Sequence, residues 1–187
     1  MFSICAFATI SGYSGFVKFE CPGINSSLLF SYPFDIQWNE KVQNKTNFNI
    51  CDIHSDGNFS SDSKFFVATG VLAMLYSLVI IFVYTKLDEA YKNNNKLPLY
   101  DFFMTVVFGV LWLSSSAAWA HALSGLKSVT SAVTCKSCTP LISSFSTLNI
   151  SVIFGFLNFF LWATCLWFIY KETSLFQGNQ RQTTDGV

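Results

Sequence analysis

The chain has 187 residues, 51% of them hydrophobic and 18% aromatic, with only 12% charged, about half the charge of an ordinary soluble domain. Eleven Lys+Arg balance eleven Asp+Glu, so there is no basic surplus of the kind a nucleic-acid-binding face needs. Twenty-one Phe, five Trp and seven Tyr exceed what one small core can bury, which disfavours a soluble enzyme, a disordered tail and a DNA-binding module and indicates a membrane protein.

Residues 1–17 are apolar but short for a helix spanning the roughly 30 Å hydrocarbon layer, which takes about 20 residues. No Lys or Arg precedes Lys18, so the basic start of a secretory signal peptide is absent. The segment reads as the second half of a first span whose beginning is missing. A loop follows over 18–64, rich in Asn and Ser with scattered aromatics, and is expected to form a short extended or hairpin cap. Within it, Tyr32-Pro33-Phe34 reads as a local extended turn.

Residues 65–84 form an uncharged run and the second span. The connection 85–100 carries Lys86, Lys92 and Lys96. The third span is expected over 102–120, flanked by Asp101 and His121, and the fourth over 152–170, ended by Lys171 and Glu172. None of these runs alternates as barrel strands must, so helices are expected. A domain over 1–173 would then hold all four spans, with 174–187 a short tail. Basic residues in the 85–100 connection and the tail (Lys171, Arg181) place those segments, and both termini, in the cytosol. The loops 18–64 and 121–149 fall on the lumenal side, and the first of them carries Glu20, Asp35, Glu40, Asp52, Asp56 and Asp62.

Cysteines and sequons agree with that orientation. Cys21 and Cys51 lie in the first lumenal loop and Cys135 and Cys138 in the second, where oxidation is possible. A Cys21–Cys51 bond would close a loop of about 31 residues and remove about 3–4 kcal/mol of unfolded-state entropy. Asn25, Asn44 and Asn58 head acceptor sequons in the first loop. Asn149 heads another but abuts the last span. Cys5 and Cys165 lie within spans and are expected to be small buried hydrophobes.

Cys135-Lys-Ser-Cys138 alone suggests chemistry. Zinc would need two further ligands, and only His54 and His121 exist. A membrane thiol oxidoreductase is a second reading, but the motif stands well before the last span, and a structural disulfide is favoured. No catalytic constellation, metal site or cofactor site is expected, since no carboxylate, Lys or Arg is placed within a span. Asn158, deep in the fourth span, is expected to hydrogen-bond between helices; a pore-lining role in an oligomeric channel is the alternative. Ser114 with Ala118, and Ser116 with Ala120, form a small-residue stripe for close helix packing. Trp119, Trp167 and Tyr170 are placed as interfacial aromatics. Val79, Tyr84 and Lys86 fit a loose cholesterol-contact pattern.

The run DFFMTVVFGVLWLSSSAAWAHALSGLK (101–127) closely resembles the third span of the synaptophysin family, and STLNISVIFGFLNFFLWATCLWFIYKET (146–173) its last. AFAT (6–9), YPF (32–34) and NICD (49–52) match in order, so the likeness covers almost the whole chain. KETSL (171–175) and NICD look most like the branch found on general transport vesicles. The long Tyr/Gly/Gln-rich tail of the neuronal members is missing, and Cys135 and Cys138 stand closer together than the family's pair. The resemblance implies a MARVEL-type bundle of four transmembrane helices, all-α apart from disulfide-capped loops, in secretory and transport vesicles. It further implies contact with cholesterol-rich membrane, self-association into a homo-oligomer, and binding to a synaptobrevin-type vesicle fusion protein. Enzymatic activity and nucleic-acid binding are not expected.

Overall fold

Uncharged apolar runs become helices because only a helix satisfies its own backbone polar groups in hydrocarbon. The computed structural model describes residues 2–21, 24–43, 49–86, 97–132 and 139–172, with side chains except at 20–21, 24–26, 39–43, 49–54, 98 and 139. Its helices are α1 (Phe2–Ser11), α2 (Ser60–Lys86), α3 (Leu97–Ala132) and α4 (Ser146–Glu172). The last three are long and apolar enough to cross a membrane. Charge placement suits the helix macrodipole: Asp62 stands in the first turn of α2, and Lys86 and Lys171 in the last turns of α2 and α4.

The helices pack as a bundle in which α1 touches α2 and α4, and α3 touches α2 and α4. Their outer faces are apolar and bare: Leu78, Phe82, Val110, Ile153 and Phe168 are all more than half exposed. In water such a surface would be an aggregation hazard; in lipid it is the solvated side.

The all-α class expected for the chain needs correction, because the connections at one end of the bundle carry five strands, a larger β-structure than the short extended or hairpin cap expected over 18–64. Strand β1 (Ser14–Cys21) is the centre of a three-stranded antiparallel sheet, flanked by β2 (Ile24–Ser31) and β5 (Thr139–Ile142). Strands β3 (Asp35–Gln43) and β4 (Asn49–Asn58) form a second antiparallel pair, with a bulge between Val42 and Gln43. Inward residues alternate: Val17 and Phe19 on β1, Leu28 and Phe30 on β2, Ile36 and Trp38 on β3 are buried, the period-two pattern of a sheet with one covered face. Both long connections thus build one cap, since β5 from the second pairs with β1, Val17 opposite Ile142.

Two boundaries also move. Residues 14–17, assigned by apolarity to the first span, belong to β1, and α1 is a ten-residue helix about 15 Å long. Residues 121–132, assigned to the second lumenal loop, continue α3, which at 36 residues is about 54 Å long and overreaches the hydrocarbon layer. Its extension is covered by the cap: Leu126 is fully buried, and the ring of Phe59 sits in a notch at Gly57 and Gly125, where an added Cβ would meet it at 2.9 and 2.6 Å.

The turn Tyr32–Phe34 joins cap to bundle. Phe34 adopts φ 65°, a left-handed conformation unfavourable for a bulky residue, and its ring is fully buried against Trp119 of α3, centroids 5.4 Å apart. Its N–H donates to Ser31 O at 2.7 Å, and Phe59 N–H donates to Phe34 O at 3.0 Å. Ser63 of α2 donates to Pro33 O at 2.9 Å. On the other side, Tyr13 donates to Ser144 O at 2.9 Å, and Ser143 Oγ accepts from Phe16 N–H at 3.0 Å.

Candidate functional site

One polar cluster of the helices lies at the end of the bundle away from the strands. Tyr76 and Tyr84 stand eight residues apart on α2, within one helical face. Asp101, the fifth residue of α3, lies between them: Tyr76 Oη donates to Oδ1 at 2.5 Å and Tyr84 Oη to Oδ2 at 2.8 Å. Asp101 is only 5% exposed. It was placed as a flank of the third span; it is instead a buried carboxylate held inside an apolar bundle.

These groups line a cavity of about 490 Å³ to which all four helices contribute. Its polar wall is Tyr76, Ser77, Tyr84, Asp101, Thr105 and Asn158. Phe2 from α1 and Ile80, Trp162 and Phe168 supply apolar wall. An aromatic cluster backs it, with Phe108 5.1 Å from both Tyr76 and Trp162, ring centre to ring centre.

Removing either tyrosine hydroxyl leaves one carboxylate oxygen without its donor. Tyr76→Phe should therefore destabilise the bundle by about 1–2 kcal/mol, with Tyr84→Phe costing less because that ring is more exposed. The two losses should not add, since both act on one carboxylate. Thermal unfolding of the detergent-solubilised single and double variants measures this.

Asn158, also 5% exposed, does not make the interhelical bond expected of it. Its Nδ2 donates to Phe154 O at 2.7 Å, one turn back in its own helix. A buried polar bond between α3 and α4 is made instead by Trp119, whose Nε1 donates to Ser151 Oγ at 2.9 Å, and Ser151 donates on to Leu148 O at 2.7 Å. Trp119 is accordingly fully buried and is not an interfacial aromatic. Trp167 is 60% exposed with Lys171 Nζ 5.3 Å from its ring centre, and Tyr170 packs its ring on Phe102 at 6.0 Å.

Of the small-residue stripe, Ser116 is buried and faces α4, where Gly155 allows the backbones together; a Cβ on Gly155 would collide with Ser116 Oγ and meet the Phe66 ring at 2.6 Å. Ser114 is exposed and donates to Val110 O in its own helix, while Ala118 and Ala120 are half-buried. Gly70 plays the same part on α2, receiving Phe7 of α1 at 3.0 Å. Neither glycine was singled out from the sequence. The cholesterol-contact pattern is split by the structure: Val79 and Lys86 are exposed, but the Tyr84 hydroxyl turns inward to Asp101.

Cys5 and Cys165 are free thiols within α1 and α4, on outer faces of the helices rather than packed in the bundle interior; Cys165 also lines the cavity. Cys21 ends β1 and Cys51 lies in β4, but their side chains lie outside the described residues, as do Cys135 and Cys138 altogether. Asn44 and the side chain of Asn25 also lie outside them. Asn58 is exposed at the junction of β4 and α2, where its Oδ1 accepts from Ser60 N–H at 3.0 Å and Ser60 Oγ–H at 2.6 Å. Asn149 is in the first turn of α4, and Lys127 donates to its Oδ1 at 2.7 Å.

Residues 1–168 match the family model of the MARVEL membrane-associating domain. The match takes in every helix but the last turn of α4, and all five strands.

Proposed function

The chain belongs to the MARVEL family of membrane-associating domains, and on that premise we propose that it is a non-enzymatic organiser of transport-vesicle membranes in the synaptophysin branch, nearest to pantophysin. The supporting observation is the match over nearly the whole chain, carried by a bundle whose outer face is predominantly apolar. The sequence likeness of 101–127 and 146–173 supports this branch. In this reading the β-cap faces the vesicle lumen, braced by disulfides among Cys21, Cys51, Cys135 and Cys138 and glycosylated at Asn25, Asn44 or Asn58. The α2–α3 connection and both termini face the cytosol.

Such a protein works by what its faces touch. The outer apolar surface meets lipid, including cholesterol. Ser114, exposed on α3 beside Val110, is a place where a second copy can approach closely in a homo-oligomer. A synaptobrevin-type fusion protein is the partner the resemblance supplies.

Vesicle fractionation combined with proximity labelling from the C-terminal tail tests the proposal. The tagged protein should cofractionate with small transport vesicles, and the label should fall on proteins of their cytosolic face. Retention at the plasma membrane, with no passage through vesicles, would contradict it.

A further inference from the structure

The outward face of the three-stranded sheet carries apolar side chains around one cation. Successive strand residues point to opposite faces, so the buried Val17 and Leu28 leave Phe16 and Lys18 of β1 and Leu29 of β2 on the outer side. Register sets Phe16 opposite Leu29, and Lys18 opposite Leu141 of β5. Leu29 is 73% exposed and Leu141 52%. Lys18 is exposed too, and its Nζ lies 4.8 Å from the centre of the Phe16 ring. The ammonium is thus drawn back along β1 toward the bundle, while Glu20 comes two residues farther out.

The height of this face follows from α4. Ser143 N–H donates to Phe16 O at 2.9 Å, and Phe16 N–H donates to Ser143 Oγ at 3.0 Å. Ser143 stands three residues before α4 begins at Ser146. The helix has 27 residues and is about 40 Å long. Near its far end Lys171 Nζ lies 5.3 Å from the ring centre of Trp167. Two lysine–aromatic pairs therefore stand about one helix length apart, the spacing of the two headgroup layers in a bilayer roughly 40–45 Å thick overall. The bare face of α4 starts at Ile150, about 6 Å into the helix. Lys18 and Leu141 lie two residues beyond the Phe16–Leu29 row, no more than about 7 Å away in any direction. The patch is thus within a headgroup layer's depth of the apolar surface of the bundle, where aromatic rings and lysine stems bring an ammonium among lipid phosphates.

We propose that this sheet face lies in the headgroup layer on the cap side of the membrane and binds an anionic phospholipid, with the phosphate on Lys18 and the first part of an acyl chain against Phe16, Leu29 and Leu141. The cap is then part of the membrane-contacting surface and does not stand clear of it. The proposal rests on membrane insertion of the three long helices and not on the vesicle assignment.

Photocrosslinking of the full chain tests this. The photoreactive residue benzoylphenylalanine replaces Leu29 in one protein and Ile153, on the bare face of α4, in another. Both are reconstituted in nanodiscs of phosphatidylcholine with a minor share of phosphatidylglycerol, illuminated, and their adducts identified by mass spectrometry. Position 29 should give lipid adducts, with phosphatidylglycerol enriched about fivefold over its share at position 153, the attraction of one lysine for an anionic membrane surface. Lys18→Gln should return position 29 to the composition seen at 153 while phosphatidylcholine adducts remain. An excess of inorganic phosphate should leave the enrichment unchanged; its loss would mean a site for free phosphate and overturn the proposal. Lipid adducts at 153 without any at 29 would overturn it too, as would crosslinks from 29 to a second copy or an enrichment that survives Lys18→Gln. No lipid adduct at either position would contradict the membrane insertion on which it rests. The comparison of 29 with 153 keeps Lys18 in place, so it stands even if Lys18→Gln does not fold.

Discussion

Trp119→Ala should lower the stability of the protein by about 3–5 kcal/mol, the range for emptying a buried aromatic site. The indole is fully buried, fills the junction between α3 and α4, and carries the ring of Phe34 at 5.4 Å. Its loss therefore both opens a cavity in the bundle and unseats the turn that fixes the strand cap. Trp119→Phe isolates the polar part: most of the packing is kept, while the donor to Ser151 Oγ is lost, and about 1–2 kcal/mol should go with it. Trp167→Ala, at a residue 60% exposed, should change stability by no more than about 0.5 kcal/mol. Thermal unfolding followed by size exclusion in detergent ranks the three. Equal losses at 119 and 167 would mean that Trp119 is not the keystone described.

Gly155→Leu should be the next most damaging change, because the position has no free volume. A Cβ there already overlaps Ser116 Oγ and crowds the Phe66 ring, so the side chain can be accommodated only by pushing α4 away from α3. Overpacking of this kind costs about 1–3 kcal/mol, occasionally more. Gly155→Ala should cost less, and Ser116→Gly should restore part of that loss by removing one of the two colliding groups. Gly109, where an added Cβ meets nothing within 4 Å, is the control: Gly109→Ala should be neutral or stabilising, since alanine favours helix by up to about 1 kcal/mol over glycine.

The three long helices were legible in the sequence because an uncharged run of some 20 residues has few other solutions. Their ends were not. The segment 121–132 is polar enough to read as loop, yet Ala122, Leu123, Leu126 and Val129 recur at helical spacing, and the cap supplies the cover that the sequence does not display. Residues 1–17 failed for the opposite reason. A short helix and the first residues of a strand are both apolar, and composition cannot separate them; the alternation of Val17 and Phe19 with Lys18 was the available signal.

The site was the least legible part. Asp101 borders an apolar run, which fits a residue at the membrane surface as well as one folded inward. What buries it is a pair of tyrosines on a different helix, and no local pattern links positions 76, 84 and 101. Asn158 was recognised as unusual, but its bond runs back to Phe154 because the space across from it is cavity. The glycine at 155 and the serine at 116 acquire meaning only together, once α3 and α4 are placed side by side.

The central claim is that both long connections fold into one strand cap on one side of the membrane, with the α2–α3 connection on the other. Protease treatment of sealed membrane vesicles prepared from cells that express the protein tests this most directly, with one epitope tag inserted between β3 and β4 and another, in a separate chain, between α2 and α3. The tag between α2 and α3 should be removed from intact vesicles, and the tag between β3 and β4 only after detergent opens the membrane. Removal of both from intact vesicles, or protection of both, would contradict the account.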